Sequence, residues 1–122
     1  MITRLVLDEL PPGLNGTEGL IREHFSARKK RKDRYFIKIR SQTLNRHKGP
    51  VKITYIRYCN RFMDWDNASA SVKLPMDCLK DAKIIIDDSP KIVVEFSTKQ
   101  VLVDRKSQKI EIIIEDYDNT KE

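Results

Sequence analysis

The chain has 122 residues, of which 39% are hydrophobic and 34% charged, and its formal net charge is +6. This length suits one domain whose core needs no metal or disulfide to hold it. No apolar run approaches the roughly 18 residues of a membrane span, and the N-terminal stretch lacks the cleavage site of a signal peptide. Cys59 and Cys78 have neither metal-binding nor redox spacing, which predicts reduced, partly buried thiols in a cytoplasmic protein.

The first half of the chain contains two predicted strands and one predicted helix. A strand over 2–9 ends at the proline- and glycine-rich "LPPGLNG", and a loop then continues to about Phe25. Ser26 is a suitable N-cap for a helix over 27–45. The β-branched and aromatic residues of "VKITYIRYC" predict a strand over 51–59.

The second half is predicted to hold one helix and two strands. Val72, Met76 and Leu79 share one helical face, and Pro75 predicts that this helix begins near Pro75 or is kinked there. Strands over 91–96 and 109–116, joined by a hairpin, are predicted to follow. Residues 117–122 are predicted to form a frayed tail. The expected architecture is a single α/β domain over 1–122, in the order β-α-β-α-β-β, with a mixed sheet packed against helices.

Charge is distributed unevenly along the chain. Residues 1–61 contain 15 Lys and Arg against 5 Asp and Glu, whereas residues 62–122 contain 9 against 13. Four basic residues in "ARKKRKDR" are expected to contact phosphates of a nucleic acid: Arg28, Lys29, Arg31 and Lys32. A solvated helix face is the alternative interpretation of this basic run.

Six of the 18 acidic residues lie between Met63 and Pro90. Asp64 and Asp66 follow the strand over 51–59, and Asp87 and Asp88 precede the strand over 91–96. The hypothesis is that both loops lie at one edge of the sheet, so that these carboxylates converge and repel unless a divalent cation neutralises them. Oxygen ligands without His or Cys favour Mg²⁺, with Mn²⁺ as an alternative.

Such a cation could polarise a phosphodiester and lower the pKa of its bound water. Lys73 could stabilise the charge that develops on the phosphate. Asn67 could orient a carboxylate or cap the next helix. In the alternative interpretation, Lys73 and Asp77 form an ordinary surface ion pair, and "DDSP" is an ordinary turn.

These motifs together resemble the RusA-type Holliday-junction resolvases, a family of bacteria and their phages. The resemblance lies in "DWDN", a lysine in the following helix, a D-x-L at Asp77 and Leu79, and an Asp pair before a strand. "LPPGLNG" is similar to a proline-rich loop of that family, with Asn15 as its polar residue. Lys73 follows Asp66 by more positions than the family pattern has.

The resemblance implies a homodimeric, Mg²⁺-dependent endodeoxyribonuclease that nicks two strands of a four-way DNA junction. In this family pattern Asp64, Asp66 and Asp88 hold the metal, with Asp87 beside them, and Lys73 assists catalysis. Asn15 would contact DNA. A two-fold dimer would match the symmetry of a four-way junction.

Two other functions stay open at this point. The protein could be a non-catalytic DNA- or RNA-binding module whose acidic residues only cap helices and form turns. It could also be a nuclease of the same chemistry that cuts flaps or replication forks.

Overall fold

The computed structural model describes residues 1–11 and 25–117, without the side chains of Phe25 and Ser26. Asn15 and most of the predicted tail therefore lie outside the described residues. The helices and strands are β1 (Ile2–Leu7), α1 (Phe25–Gln42), β2 (Val51–Cys59), α2 (Trp65–Asp81), β3 (Val93–Leu102) and β4 (Lys109–Asp116). The predicted order and the mixed sheet packed against two helices are confirmed.

The strands form one four-stranded sheet in the order β1-β4-β2-β3. β4 is antiparallel to both β1 and β2, and β3 is parallel to β2. The predicted hairpin between the last two strands is wrong, because β4 lies between β1 and β2 instead of beside β3. Burial explains this placement, since Ile110, Ile112 and Ile114 of β4 are fully buried whereas most of β3 is exposed.

The core lies between one face of the sheet and the two helices. Alternate residues of β2 point into it, and Tyr35 and Ile39 of α1 and Leu79 of α2 pack against them. The period of two along β2 and the helical spacing of the apolar residues on α2 are what the sequence pattern predicts. None of the helices in the described part of the chain has the length and apolar content that a membrane crossing requires.

α2 runs without a break from Trp65 to Asp81 and contains Pro75. The predicted start of this helix near Pro75 is therefore wrong. Pro75 has no N–H to donate to the Ser71 carbonyl, but burial of Val72, Met76 and Leu79 on the same helix offsets that loss. The Asp64 and Asp66 segment consequently starts the same helix that carries Lys73.

The two outer edges of the sheet differ. At the β1 edge, the Gln42 side chain accepts a hydrogen bond from the Val6 N–H at 2.8 Å and donates one to the Val6 carbonyl at 2.6 Å. β3 forms the other edge, and no described strand pairs with its outer side. β3 is also longer than predicted, and Val94, Phe96, Val101 and Leu102 are among its exposed residues.

Candidate functional site

Asp64 and Asp66 lie at the N-terminal end of α2. Asp64 is the N-cap residue, although its side chain makes no capping hydrogen bond, and Asp66 is in the first turn, where its Oδ1 accepts the Asn67 N–H at 2.9 Å. The preceding Met63 is fixed to β3, because Gln100 bonds its N–H at 2.8 Å and its carbonyl at 2.7 Å. The two exposed carboxylates therefore sit beside the C-terminal half of β3.

Asp87 and Asp88 lie in the turn that leads into β3. The pKa of Asp87 is lowered, first by a hydrogen bond from the Asp88 backbone and also by Ser89 and the nearby Lys80. The Lys80 ammonium is 3.7 Å from the Asp87 carboxylate. Asp88 is exposed and borders an apolar groove between α2 and β3, which Met76 and Phe96 also line.

The expected convergence of the four carboxylates at one sheet edge is contradicted. β2 and β3 are parallel, so the loop that follows β2 and the loop that precedes β3 lie at opposite ends of the sheet. α2, which connects these ends, is about 25 Å long at a rise of about 1.5 Å per residue. Within the described residues, no group of three acidic, His or Cys side chains is placed to hold a metal ion.

Lys73 lies apart from both carboxylate pairs. Seven residues return to nearly the same helical face, so Lys73 follows Asp66 by two turns, about 10 Å along the axis. The Lys73 ammonium is 3.9 Å from the Asp77 carboxylate, one turn further on. Arg28 from α1 lines the same small cleft between the helices. Lys73 and Asp77 therefore form the surface ion pair of the alternative interpretation. Their separation is close to the upper limit for an ion pair, so the pair contributes little to stability.

The basic run lies on the N-terminal half of α1. Arg28 and Lys29 are exposed, and Arg31 and Lys32 are partly buried. Lys32 is 3.0 Å from Asp81 of α2, and this hydrogen-bonded carboxylate raises the pKa of Lys32. Part of the predicted phosphate-contacting patch thus also ties α1 to α2.

A cleft that the sequence motifs do not predict adjoins Asp64. Arg57, Asn60, Arg61 and Asn67 line this cleft of about 400 Å³ together with Asp64. Arg57 lies on β2 in the row of alternate residues that point to the core, and only 7% of it is exposed. The sequence does contain a signal for this cleft. An arginine at a core-facing position of "VKITYIRYC" interrupts the alternation of apolar residues.

The two cysteines and His47 have structural positions. Cys59 and Cys78 are buried free thiols, as expected, and burial raises the pKa of Cys78 to about 11, which keeps it unreactive at neutral pH. The buried His47 ring is 2.7 Å from both the Thr3 hydroxyl and the Asp116 carboxylate. These contacts tie β1, β4 and the segment before β2 together and leave the ring inaccessible.

Comparison with known proteins gives no independent assignment. No family model matches this sequence, and no curated protein matches it.

Proposed function

We propose that the protein is a divalent-metal-dependent endodeoxyribonuclease that acts in the cytoplasm as a homodimer on Holliday junctions or other branched DNA, with each metal site completed by two copies. One observation carries this proposal. Asp64 and Asp66 lie beside one end of an open edge strand, and Asp88 lies at the other end of the same strand.

The outer edge of β3 is suited to pairing with another strand. It is ten residues long and rich in apolar side chains, whereas unpaired edges are normally short or protected by charges. Phe96 is 42% exposed and stacks on Tyr55, beside the apolar groove that reaches Asp88. A partner strand would cover this edge and the groove together.

A second copy fits this edge because β3 is self-complementary. In antiparallel pairing about a two-fold axis at Ser97, Glu95 lies directly opposite Lys99 of the partner subunit, and Lys99 opposite the partner's Glu95. Phe96 then lies near the axis, where the two copies bury their apolar groove residues against each other.

The same register also joins the acidic residues. Gln100, which fixes the Met63–Asp64 segment, comes opposite residue 94 of the partner, shortly after the partner's Asp88. Asp64, Asp66 and the partner's Asp88 thus form a cross-subunit carboxylate set, with Asp87 adjacent to Asp88. The donor chemistry fits Mg²⁺ or Mn²⁺, because all ligands are carboxylate oxygens.

The ion pairs of the described residues agree with that role. No Lys or Arg in the described ranges forms an ion pair with Asp64, Asp66 or Asp88, whereas Asp8, Glu9, Asp81 and Asp116 are paired. A bound divalent ion would supply a polarised phosphodiester and an acidified water. Asp64, Asp66 and the partner's Asp88 would hold it, and the basic face of α1 would attract the DNA backbone.

Mixing two inactive variants tests this arrangement. Asp66→Asn and Asp88→Asn are each expected to bind a synthetic four-way junction but not to cleave it with Mg²⁺. After the two variants are unfolded and refolded together, half of the dimers are mixed, and each mixed dimer has one intact site, so about a quarter of the sites recover. These dimers should nick one strand.

The control is a mixture of Asp64→Asn with Asp66→Asn. Both changes affect the same side of each site, so no mixed dimer regains an intact one. Recovery in neither mixture would refute the cross-subunit site, and cleavage by either single variant at the wild-type rate would refute the assigned carboxylates.

A non-catalytic nucleic-acid-binding module is the second candidate. It is favoured by the lack of a metal-binding group among the described residues of a single copy and by the Lys73–Asp77 contact. Calorimetric titration of the dimer with Mn²⁺ separates the candidates. Binding that disappears in the Asp66→Asn variant supports the nuclease, and no binding by the wild type supports the module.

A further inference from the structure

Arg57 is a buried cation whose environment does not account for its charge. Its Nη1 donates a hydrogen bond to the Pro11 carbonyl at 3.1 Å, and its buried Nε has no partner in the described structure. No carboxylate of the described residues forms an ion pair with it. Burying a guanidinium without an anion is costly, and a bound anion is one arrangement that would offset this cost.

The cleft beside Arg57 has the chemistry of an anion site. Arg61 adds a second guanidinium, Asn60 and Asn67 add amides, and the cleft includes the N-terminal end of α2. Backbone N–H groups at a helix N-terminus attract anions. Asp64 borders the same cleft, so a bound anion would lie next to one of the carboxylates assigned to the metal.

We propose that Arg57 and Arg61 form a binding site for a backbone phosphate of the DNA, next to the metal carboxylates. A planar guanidinium can donate several hydrogen bonds in fixed directions to the oxygens of one phosphate, which the point charge of a lysine cannot do. This assignment rests on the proposed nuclease function for the identity of the phosphate. Arg57 and Arg61 would thus contact the substrate, although neither belongs to the acidic motifs.

The direct test observes the guanidinium itself. In the ¹⁵N-labelled wild-type protein, the Arg57 Nε–H resonance is assigned by its absence in an Arg57→Lys variant. It is then followed during titration with the phosphodiester dinucleotide TpT, without divalent ions. We expect a saturable shift of this resonance, whereas Arg4, exposed on the far edge strand, should stay unchanged.

A functional test accompanies it. Arg57→Met retains the length of the side chain and removes the buried charge, so the melting temperature should be equal or higher, whereas junction cleavage should fall about 100-fold or more. Arg4→Met is the matched control and should cleave at the wild-type rate. A merely structural arginine would give the opposite pattern, a lower melting temperature with little change in cleavage.

The outcomes separate this inference from the proposed function. If TpT leaves the Arg57 resonance unchanged, the phosphate site is refuted whatever the cleavage rate of Arg57→Met. Junction cleavage by the wild type then still tests the nuclease proposal. If the resonance responds but the wild type cleaves no branched DNA with any divalent ion, the nuclease is refuted and the phosphate site stands.

Discussion

The two edge strands of the sheet differ in how their unpaired backbone groups are treated. At β1, the Gln42 side chain takes the place of a neighbouring strand by bonding both backbone groups of Val6. At β3, no described group does the equivalent along the outer side, and apolar residues remain exposed there. The difference indicates that the chain protects one edge from association and leaves the other available for a partner.

A matched pair of substitutions gives the largest expected effect. Phe96 and Val6 are each 42% exposed, one on each edge strand. Phe96→Glu places charges near the proposed two-fold axis, so it should convert the dimer to a monomer and reduce junction cleavage more than 100-fold, because each metal site needs both copies. Sedimentation velocity and a cleavage assay measure both effects.

Val6→Glu is the control and should leave the dimer and its cleavage intact. The contrast between the edges would be refuted if both variants dissociated equally, or if the wild type were a monomer at micromolar concentration.

Removing the protection of the β1 edge should have an intermediate effect. Gln42→Ala loses both bonds to Val6, and we expect the free energy of unfolding to fall by about 1–2 kcal/mol. The exposed β1 edge should also promote concentration-dependent association beyond the dimer. Urea denaturation and light scattering measure these changes, and unchanged values in both would show that Gln42 does not protect this edge.

The smallest effect concerns pH and the anchoring of α1 beside β1. Arg34 hydrogen-bonds the Glu9 carboxylate at 2.7 and 2.8 Å and, with Lys38, lowers the pKa of Glu9 to about 2. Because the folded-state pKa is lowered from 4.5, the stabilisation is complete above about pH 4.5 and is lost as the pH falls toward about 2.

Glu9→Gln should therefore lose less stability than the wild type between pH 4.5 and pH 2, while association through β3 stays unchanged at neutral pH. Urea denaturation at several pH values measures the difference. Parallel pH profiles for the two proteins would contradict the assignment of Glu9.

Several elements were predictable because their signals are local. β2 was predicted with its observed bounds, since its alternation of buried residues follows directly from the period of a strand. The buried face of α2 was also evident, but its start was not, because the sequence rule for Pro75 concerns the isolated helix and ignores the burial that offsets it.

The predicted convergence of the carboxylates is wrong for a different reason. The sequence shows that Asp64 and Asp66 follow one strand and that Asp87 and Asp88 precede another, but not which strands pair or in which direction. Once β2 and β3 are parallel, the two pairs must lie at opposite ends of the sheet. Arg57 is the opposite case, because a charged residue at a core-facing position of β2 can be recognised in the sequence. The acidic motifs do not include it.

The amino-acid sequence alone predicts the order of helices and strands, the buried apolar residues of β2 and α2, and the excess of positive charge in the first half. These follow from backbone periodicity and from composition, which are properties of neighbouring residues. The folded structure is needed to see that β4 lies inside the sheet, that β3 is an open edge and that Asp64 shares a cleft with Arg57. The strand pairings join residues far apart in the chain, and the cleft beside Arg57 forms where the segment after β2 lies against β3, so both depend on how the whole sheet is assembled.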